Sequence, residues 1–158
     1  MEKIPSFTVN HLVLVPGIYL SRIDEVAGEK VITYDLRITT PNTEPVMNTA
    51  EVHTIEHLGA TFLRNHKKHK DSIIYFGPMG CRTGFYLIVK DHLSHEELAA
   101  LLKETFQFIS EYEGEIPGAT PKDCGNYSDQ SLSMGHYYAK KYIKALDSLT
   151  DFSFAYIE

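Results

Sequence analysis

Residues 49–68 read TAEVHTIEHLGATFLRNHKK, and this stretch carries the clearest secondary-structure pattern in the chain. Its apolar side chains recur every three or four residues, which is the spacing of one face of an α-helix. Thr49 can cap the amino terminus, and the basic residues at the other end offset the negative end of the helix dipole. The pattern therefore predicts an amphipathic helix with a core face formed by Val52, Ile55, Leu58, Phe62 and Leu63.

The sequence on either side of this helix has β-strand patterns. In the segment before it, alternation places Asp35, Arg37 and Thr39 opposite an apolar face, since successive side chains of a strand point to opposite sides. Pro16-Gly17 ends the first segment, and Gly77 to Gly80 forms a turn before the last one. The predicted strands are Thr8–Val15, Lys30–Thr40, Ser72–Phe76 and Phe85–Val89.

Two further helices are predicted in the second half of the chain. Ser94 with Glu97 three residues later forms a capping box, which starts a helix that runs to about Tyr112. Another helix is predicted from about Ser131 to Leu149, after a loop at 114–129 that is rich in Gly, Pro, Asp and Asn. We therefore expect an α+β fold in which a largely antiparallel sheet packs with three to four α-helices.

Composition limits the classes of protein that fit. With 158 residues and 43% hydrophobic residues, the chain can form one core without disulfide bonds, so we expect a single domain. The net charge of −6 argues against binding to nucleic acid, which requires clustered positive charge. Residues 1–5 lack the apolar stretch of a secretory signal, and we find no run long enough to span a membrane. We expect a cytoplasmic protein.

The central helix contains a metal-binding pattern, His53-Thr54-Ile55-Glu56-His57. Side chains four residues apart lie on the same face of a helix, so His53 and His57 can reach one ion. Glu56 projects between them, where a carboxylate can move protons to or from a bound substrate. The alternative is a helix that happens to carry two surface histidines.

Cys124 is the best candidate for a third ligand. It lies in Asp123-Cys124-Gly125, a loop that can bring the thiolate toward the helix, although a small buried cysteine is the alternative. Two histidines and one cysteine leave a coordination position open, as in catalytic sites. This ligand set suits Fe(II), Zn(II) or Co(II) rather than magnesium or calcium, and the ligand types do not choose among the three.

The other cysteine, Cys81, lies between two glycines and next to Arg82. This setting can expose the sulfur and lower the pKa of the thiol. From its neighbours alone, a buried structural cysteine fits equally well.

Taken together, three segments resemble the S-ribosylhomocysteine lyase (LuxS) family. They are the helix from His53 on through Ala60, Phe62, Arg64 and Asn65, the turn Pro78-Met79-Gly80-Cys81-Arg82-Thr83-Gly84-Phe85-Tyr86, and the loop Asp123-Cys124-Gly125-Asn126-Tyr127. The resemblance covers nearly the whole chain, so residues 1–158 are expected to form a single metal-dependent lyase domain.

The resemblance implies cleavage of the thioether in S-ribosylhomocysteine, which gives homocysteine and 4,5-dihydroxy-2,3-pentanedione. That product is the precursor of the autoinducer-2 quorum-sensing signal, and the reaction also belongs to the activated methyl cycle. A Lewis-acidic metal polarises the sugar carbonyl, successive proton transfers move it from C1 to C3, and loss of a C4 proton then expels the thiolate. No redox cofactor is implied.

The resemblance also assigns residues. Glu56 and Cys81 match the acid–base positions, and Arg37 keeps the Cys81 thiolate charged. The substrate pocket is expected to include Ser6, His11, Arg37 and Arg64. In the family that pocket forms between two subunits, so a homodimer with its active sites at the interface is implied.

The chain departs from the family pattern at two places that bear on substrate affinity. Tyr75-Phe76-Gly77 replaces an acidic residue followed by Ile and Ser, and Gly59 stands where a bulky aromatic residue is usual.

Two other interpretations also fit the metal motif. His-x-x-Glu-His is also found in inverzincin metallopeptidases, which are much longer chains with a distant Glu ligand. A non-catalytic module, in which the ion only ties the Cys124 loop to the helix, would not need Glu56.

Overall fold

The computed structural model describes residues 2, 4, 7–91 and 93–157. It contains one four-stranded sheet, three α-helices and a short 3₁₀ turn, Lys70–Ser72, within these residues. The α+β prediction is confirmed. In chain order the elements are β1 (Gly17–Val26), β2 (Glu29–Arg37), α1 (Thr49–Asn65), β3 (Ile73–Pro78), β4 (Gly84–Lys90), α2 (His95–Glu111) and α3 (Leu132–Asp147).

The sheet is antiparallel throughout, with strand order β1-β2-β4-β3. A two-residue turn joins β1 to β2, and its residues Ala27 and Gly28 both have positive φ, as a tight turn matched to strand twist requires. At the end of β2, Arg37 is paired with Gly17 on one side and with Gly84 on the other. The sheet therefore fixes the backbone at Arg37 from both sides.

The helices pack against one face of the sheet and form the core with it. α1 contacts β3 and both other helices, whereas α3 contacts β1. The predicted apolar face of β2 lies in this core, as does the predicted core face of α1 apart from the half-buried Phe62. Fully buried members include Tyr34, Leu36, Ile55, Leu58, Phe85, Leu87, Phe106 and Tyr142.

The opposite face of β2 is also buried. Asp35 and Arg37 are only 1% and 2% exposed, and Thr39 is fully buried. Alternation along this strand was predicted correctly, but its polar side chains lie inside the molecule. A buried charge needs a partner, so this face must hold an ion pair.

The predicted strand at Thr8–Val15 is wrong, because this segment consists of turns and irregular backbone. The first strand begins where the prediction ended, at Gly17. A bulge between Leu20 and Arg22 breaks the alternation of β1, so the period that would identify this strand is interrupted. Several apolar side chains of the irregular segment are exposed, with Leu12 at 85%.

The helix predictions are confirmed, with small shifts at the ends. α1 begins at Thr49, but the capping residue is Asn48, whose N–H donates to the Glu51 carboxylate at 2.6 Å. Ser94 and Glu97 form the predicted capping box of α2. Among the described residues, no helix has the length and apolar character needed to cross a membrane.

Candidate active site

The three predicted metal ligands lie together. One potential ligand atom from each of His53, His57 and Cys124 falls within 4.8 Å of the others. Cys124 Sγ is 3.3 Å from His53 Nε2, and the two imidazole centroids are 4.5 Å apart. All three side chains are half-buried. One turn of α1 places the histidines on the same face, and the loop from α2 to α3 brings the cysteine to them.

Backbone carbonyls orient both imidazoles. His53 Nδ1 donates to the carbonyl of Asp129 at 3.0 Å, and His57 Nδ1 donates to the carbonyl of Pro117 at 2.7 Å. A hydrogen on Nδ1 leaves the Nε2 lone pair available for a metal, and this arrangement is usual for ligating histidines. The donor chemistry therefore fits the divalent ion that the sequence predicts.

The loop that carries Cys124 is fastened to α1. Thr54 accepts a hydrogen bond from the N–H of Ser131 at 2.9 Å and donates to the Gln130 side chain at 2.7 Å. Within the loop, the N–H of Cys124 donates to the Thr120 carbonyl at 3.0 Å, and the N–H of Asn126 donates to Cys124 Sγ at 3.4 Å. These contacts hold the sulfur beside the two histidines.

Glu56 is half-buried on α1, one residue before His57. None of the described residues forms a hydrogen bond or ion pair with its carboxylate. A carboxylate that is not held by the protein can exchange protons with a bound molecule.

Cys81 lies in the turn between β3 and β4. The N–H of Met79 donates to the Gly84 carbonyl at 3.0 Å, and Arg82 has a φ of 59°, which is uncommon for a residue with a side chain. A Cβ on Gly84 would lie 2.3 Å from the carbonyl oxygen of Leu36. Glycine at 84 therefore allows this turn to lie directly against β2, where Arg37 projects.

The Cys81 sulfur contacts a hydroxyl and a guanidinium. Its Sγ is 3.1 Å from Thr83 Oγ1 and 3.8 Å from Arg37 Nη1, which itself donates to Thr83 Oγ1 at 2.5 Å. Burial acts to raise the pKa of the Cys81 thiol, but the hydrogen bonds from Thr83 and the positive charge of Arg37 outweigh it, so the pKa is lowered. The thiolate is therefore stabilised at this position.

Arg37 is held by residues that sequence reasoning missed. Its Nη2 and Nε donate to the two carboxylate oxygens of Asp35 at 2.5 and 3.1 Å, which forms a buried bidentate pair. The hydroxyl of Tyr156 also donates to Asp35 at 3.0 Å. The position of Asp35 two residues before Arg37 on one strand face was an available signal. For Tyr156 the sequence offers none, because the contact joins distant segments.

The other predicted pocket residues do not all lie together. His11 lines an open depression of about 450 Å³ together with Cys81, Thr83 and residues 41–46. Arg64 is exposed and donates to the Ile74 carbonyl at 2.7 Å. Ser6 lies outside the described residues. Of the residues described, this depression includes none of the three predicted metal ligands, Glu56 or Arg64 in its lining.

Gly59 lies next to the segment Tyr75-Phe76-Gly77. A Cβ on Gly59 would lie 2.5 Å from the Phe76 ring, so the aromatic ring at 76 occupies the space of a side chain at 59. Similarly, a Cβ on Gly77 would lie 2.0 Å from the Tyr75 hydroxyl. Phe76 is buried against Phe85, whereas Tyr75 is 45% exposed.

Comparison with known proteins gives one consistent result. The family model described as S-Ribosylhomocysteinase (LuxS) matches residues 4–152. Curated proteins named S-ribosylhomocysteine lyase are 59% identical to the chain in Finegoldia magna, with 100% of both chains covered. They are 56% identical in Clostridium acetobutylicum, with 96% of each covered, and 51% identical in Phocaeicola vulgatus, with 95% of this chain and 94% of that protein covered.

Proposed function

The chain belongs to the S-ribosylhomocysteinase (LuxS) family, and from that premise we propose that it is a metal-dependent enzyme with the ligand set His53, His57 and Cys124. It is a carbon–sulfur lyase that converts S-ribosylhomocysteine to homocysteine and the autoinducer-2 precursor 4,5-dihydroxy-2,3-pentanedione. The observation that carries the metal proposal is the convergence of the three ligand atoms within 4.8 Å.

One divalent ion per subunit is proposed, with Fe(II) as the expected ion and Zn(II) or Co(II) as alternatives. Two nitrogens and one sulfur suit each of these ions. When bound, the ion supplies Lewis acidity that makes protons next to a sugar carbonyl easier to remove. The carbonyl contacts of His53 and His57 hold both rings ready for this role.

Glu56 and Cys81 are proposed as the acid–base pair. Glu56 would take and return protons during the carbonyl shifts, since its carboxylate has no partner among the described residues. Cys81, held as a thiolate by Thr83 and Arg37, would act as a base on a second part of the sugar. Removal of the C4 proton then breaks the C5–S bond, and homocysteine leaves as a thiolate that is protonated on release.

Ser6, His11, Arg37 and Arg64 are proposed to line the substrate pocket, within one lyase domain that spans residues 1–158. His11 lies beside Cys81 in the same depression, which supports its part in this proposal. We also propose that the protein is cytoplasmic and that its product serves quorum sensing.

A homodimer with active sites at the interface is proposed as well. Large apolar side chains of the amino-terminal segment are exposed, and a second subunit could cover them. They are Phe7 at 70%, Leu12 at 85%, Val13 at 39% and Val15 at 46%.

The test is incubation of anaerobically purified protein with S-ribosylhomocysteine, titration of released homocysteine with a thiol reagent, and metal analysis of the same sample. Release that requires bound metal supports the proposal. No release from fully metallated protein would refute it. The family match does not favour the metallopeptidase or the non-catalytic module considered from the sequence.

A further inference from the structure

The segment that follows the last helix is fixed against the sheet. The N–H of Leu20 on β1 donates to the Phe154 carbonyl at 2.7 Å, and the Phe154 side chain is 3% exposed within the core. The family match ends at residue 152, so this anchored segment lies beyond the matched residues.

Tyr156 is held in this segment through its ring and its hydroxyl, and the hydroxyl also interacts with the Ser21 side chain on β1. Its ring stacks on Tyr19 with centroids 5.0 Å apart and an interplanar angle of 4°. Its hydroxyl donates to Asp35 Oδ2 at 3.0 Å. That same oxygen accepts a hydrogen bond from Arg37 Nη2, and Arg37 Nη1 reaches both Thr83 and Cys81.

We propose that Tyr156 is a positioning residue for Cys81, acting through Asp35 and Arg37. Its hydroxyl fixes the Asp35 carboxylate and takes up part of its negative charge, so that the guanidinium keeps more of its positive charge for the sulfur. The inference rests on the proposed role of Cys81 as a base, and it extends the site to a residue outside the family match.

The chemistry of Tyr156 suits this role. Burial and the nearby Asp35 carboxylate raise the pKa of its phenol, so the hydroxyl stays protonated and continues to donate at pH values where an ordinary phenol has begun to ionise. Among the described residues, only Arg37 and Tyr156 donate hydrogen bonds to Asp35. The nearby phenols of Tyr19 and Tyr142 instead donate to the carbonyls of Val15 and Gly17.

Other titratable groups also surround the sulfur. Tyr86 on β4 interacts electrostatically with Cys81, and burial raises the pKa of that phenol. His11 and Glu44 line the same depression, where Glu44 is paired with Lys141, and Arg82 is the next residue in the chain. A change at Tyr156 leaves all of these side chains in place.

The test is the pH dependence of Cys81 alkylation by iodoacetamide, followed on the Cys81 peptide by mass spectrometry. It uses full-length, metal-loaded wild type, Tyr156→Phe and Tyr19→Phe. Tyr156→Phe keeps the ring stack and removes only the hydroxyl. We expect its alkylation midpoint to rise by about half a pH unit. The lost hydrogen bond is charge-assisted, but it acts on the sulfur only through Asp35 and Arg37.

Tyr19→Phe is the matched control, because it removes the hydroxyl of the stacked partner without touching Asp35. Its midpoint should equal that of the wild type. An unchanged midpoint in Tyr156→Phe, or an equal rise in both variants, would overturn the proposal. Alkylation measures the ionisation of the Cys81 thiol whether or not homocysteine is released. A failure of the lyase assignment would therefore be seen separately, in the assay of homocysteine release.

Discussion

Glu56 is the residue on which the proton-transfer proposal depends most. Glu56→Gln keeps the size of the side chain and removes its ability to exchange protons. We expect turnover to fall by roughly 10²–10⁴-fold, the usual contribution of a general base. Metal content should be unchanged, because Glu56 is not one of the three clustered ligands. Homocysteine release and metal analysis on the same preparation measure both quantities.

Glu115→Gln is a matched control, because it makes the same change on a residue outside the ligand cluster. Its turnover should equal that of the wild type. Turnover of Glu56→Gln within a factor of about two of the wild type would rule out the acid–base role, since general bases contribute far more than that.

Cys81 gives the second prediction for single residues, a pH dependence. Its thiol pKa is lowered by the Thr83 hydrogen bonds and Arg37 against the opposing effect of burial. The thiolate fraction falls as the pH decreases through this lowered pKa, so turnover should be retained at pH values where an ordinary thiol is already protonated. The acid limb of the kcat/KM profile should coincide with the alkylation midpoint of Cys81.

The reference for this measurement is the same cysteine in denatured protein. Its alkylation midpoint should lie at higher pH than that of the folded protein. Identical midpoints in the two states would contradict the stabilised thiolate.

At the level of whole elements, the packing of α1 on β3 leaves no room for a side chain at Gly59. Gly59→Phe would place side-chain atoms against the Phe76 ring, which is buried and stacked on Phe85. We expect overpacking to cost about 1–3 kcal/mol of unfolding free energy. Adding Phe76→Ile should restore part of the lost free energy of unfolding. Because the two residues are in contact, the coupling energy between the two substitutions should be about 0.5–3 kcal/mol. Urea unfolding of the four proteins measures the cycle.

Gly80→Ala controls for the loss of glycine itself, because a Cβ at this position meets nothing within 4 Å. It should change the unfolding midpoint little. Strictly additive effects of the Gly59 and Phe76 changes would show that the two positions are not coupled.

The elements also show what the sequence can reveal about the fold. α1 and α2 were predicted correctly because a helical apolar period and a capping box both depend on residues close together in the chain. β1 was missed because its bulge interrupts the alternation and because Pro16-Gly17 resembles the end of a strand rather than its beginning. The pairing of β2 with β4 joins segments that are distant in the chain, and local patterns do not encode it.

At the level of the whole molecule, an ion would connect α1 to the loop that precedes α3. Removal of the metal by a chelator should raise the rate of amide hydrogen exchange at 114–130. A metal that binds only the folded state stabilises the packing of this loop on α1, and that stabilisation is lost with the metal. The amides of α2 are the internal control and should change little, because no predicted ligand lies on that helix. Equal exchange with and without metal would argue against Cys124 as a ligand.

The candidate site could be predicted from the sequence only in part. His53, Glu56 and His57 follow from the spacing of one helix, and Cys124 was chosen for its glycine-rich loop. The structure brings three of these together as clustered donors. The carbonyls of Pro117 and Asp129 and the Tyr156 hydroxyl could not be predicted, because their contacts arise only when distant segments pack together.

Lyase turnover should depend on an ion held by His53, His57 and Cys124. Metal-free protein should be reconstituted anaerobically with increasing Fe(II), and homocysteine release from S-ribosylhomocysteine should be measured at each occupancy, beside His57→Ala. We expect release to rise in proportion to bound metal and to saturate at one ion per subunit. In His57→Ala, both metal retention and homocysteine release should be lost. Full turnover by metal-free protein, or no turnover by protein that carries one ion per subunit, would contradict this dependence on the metal.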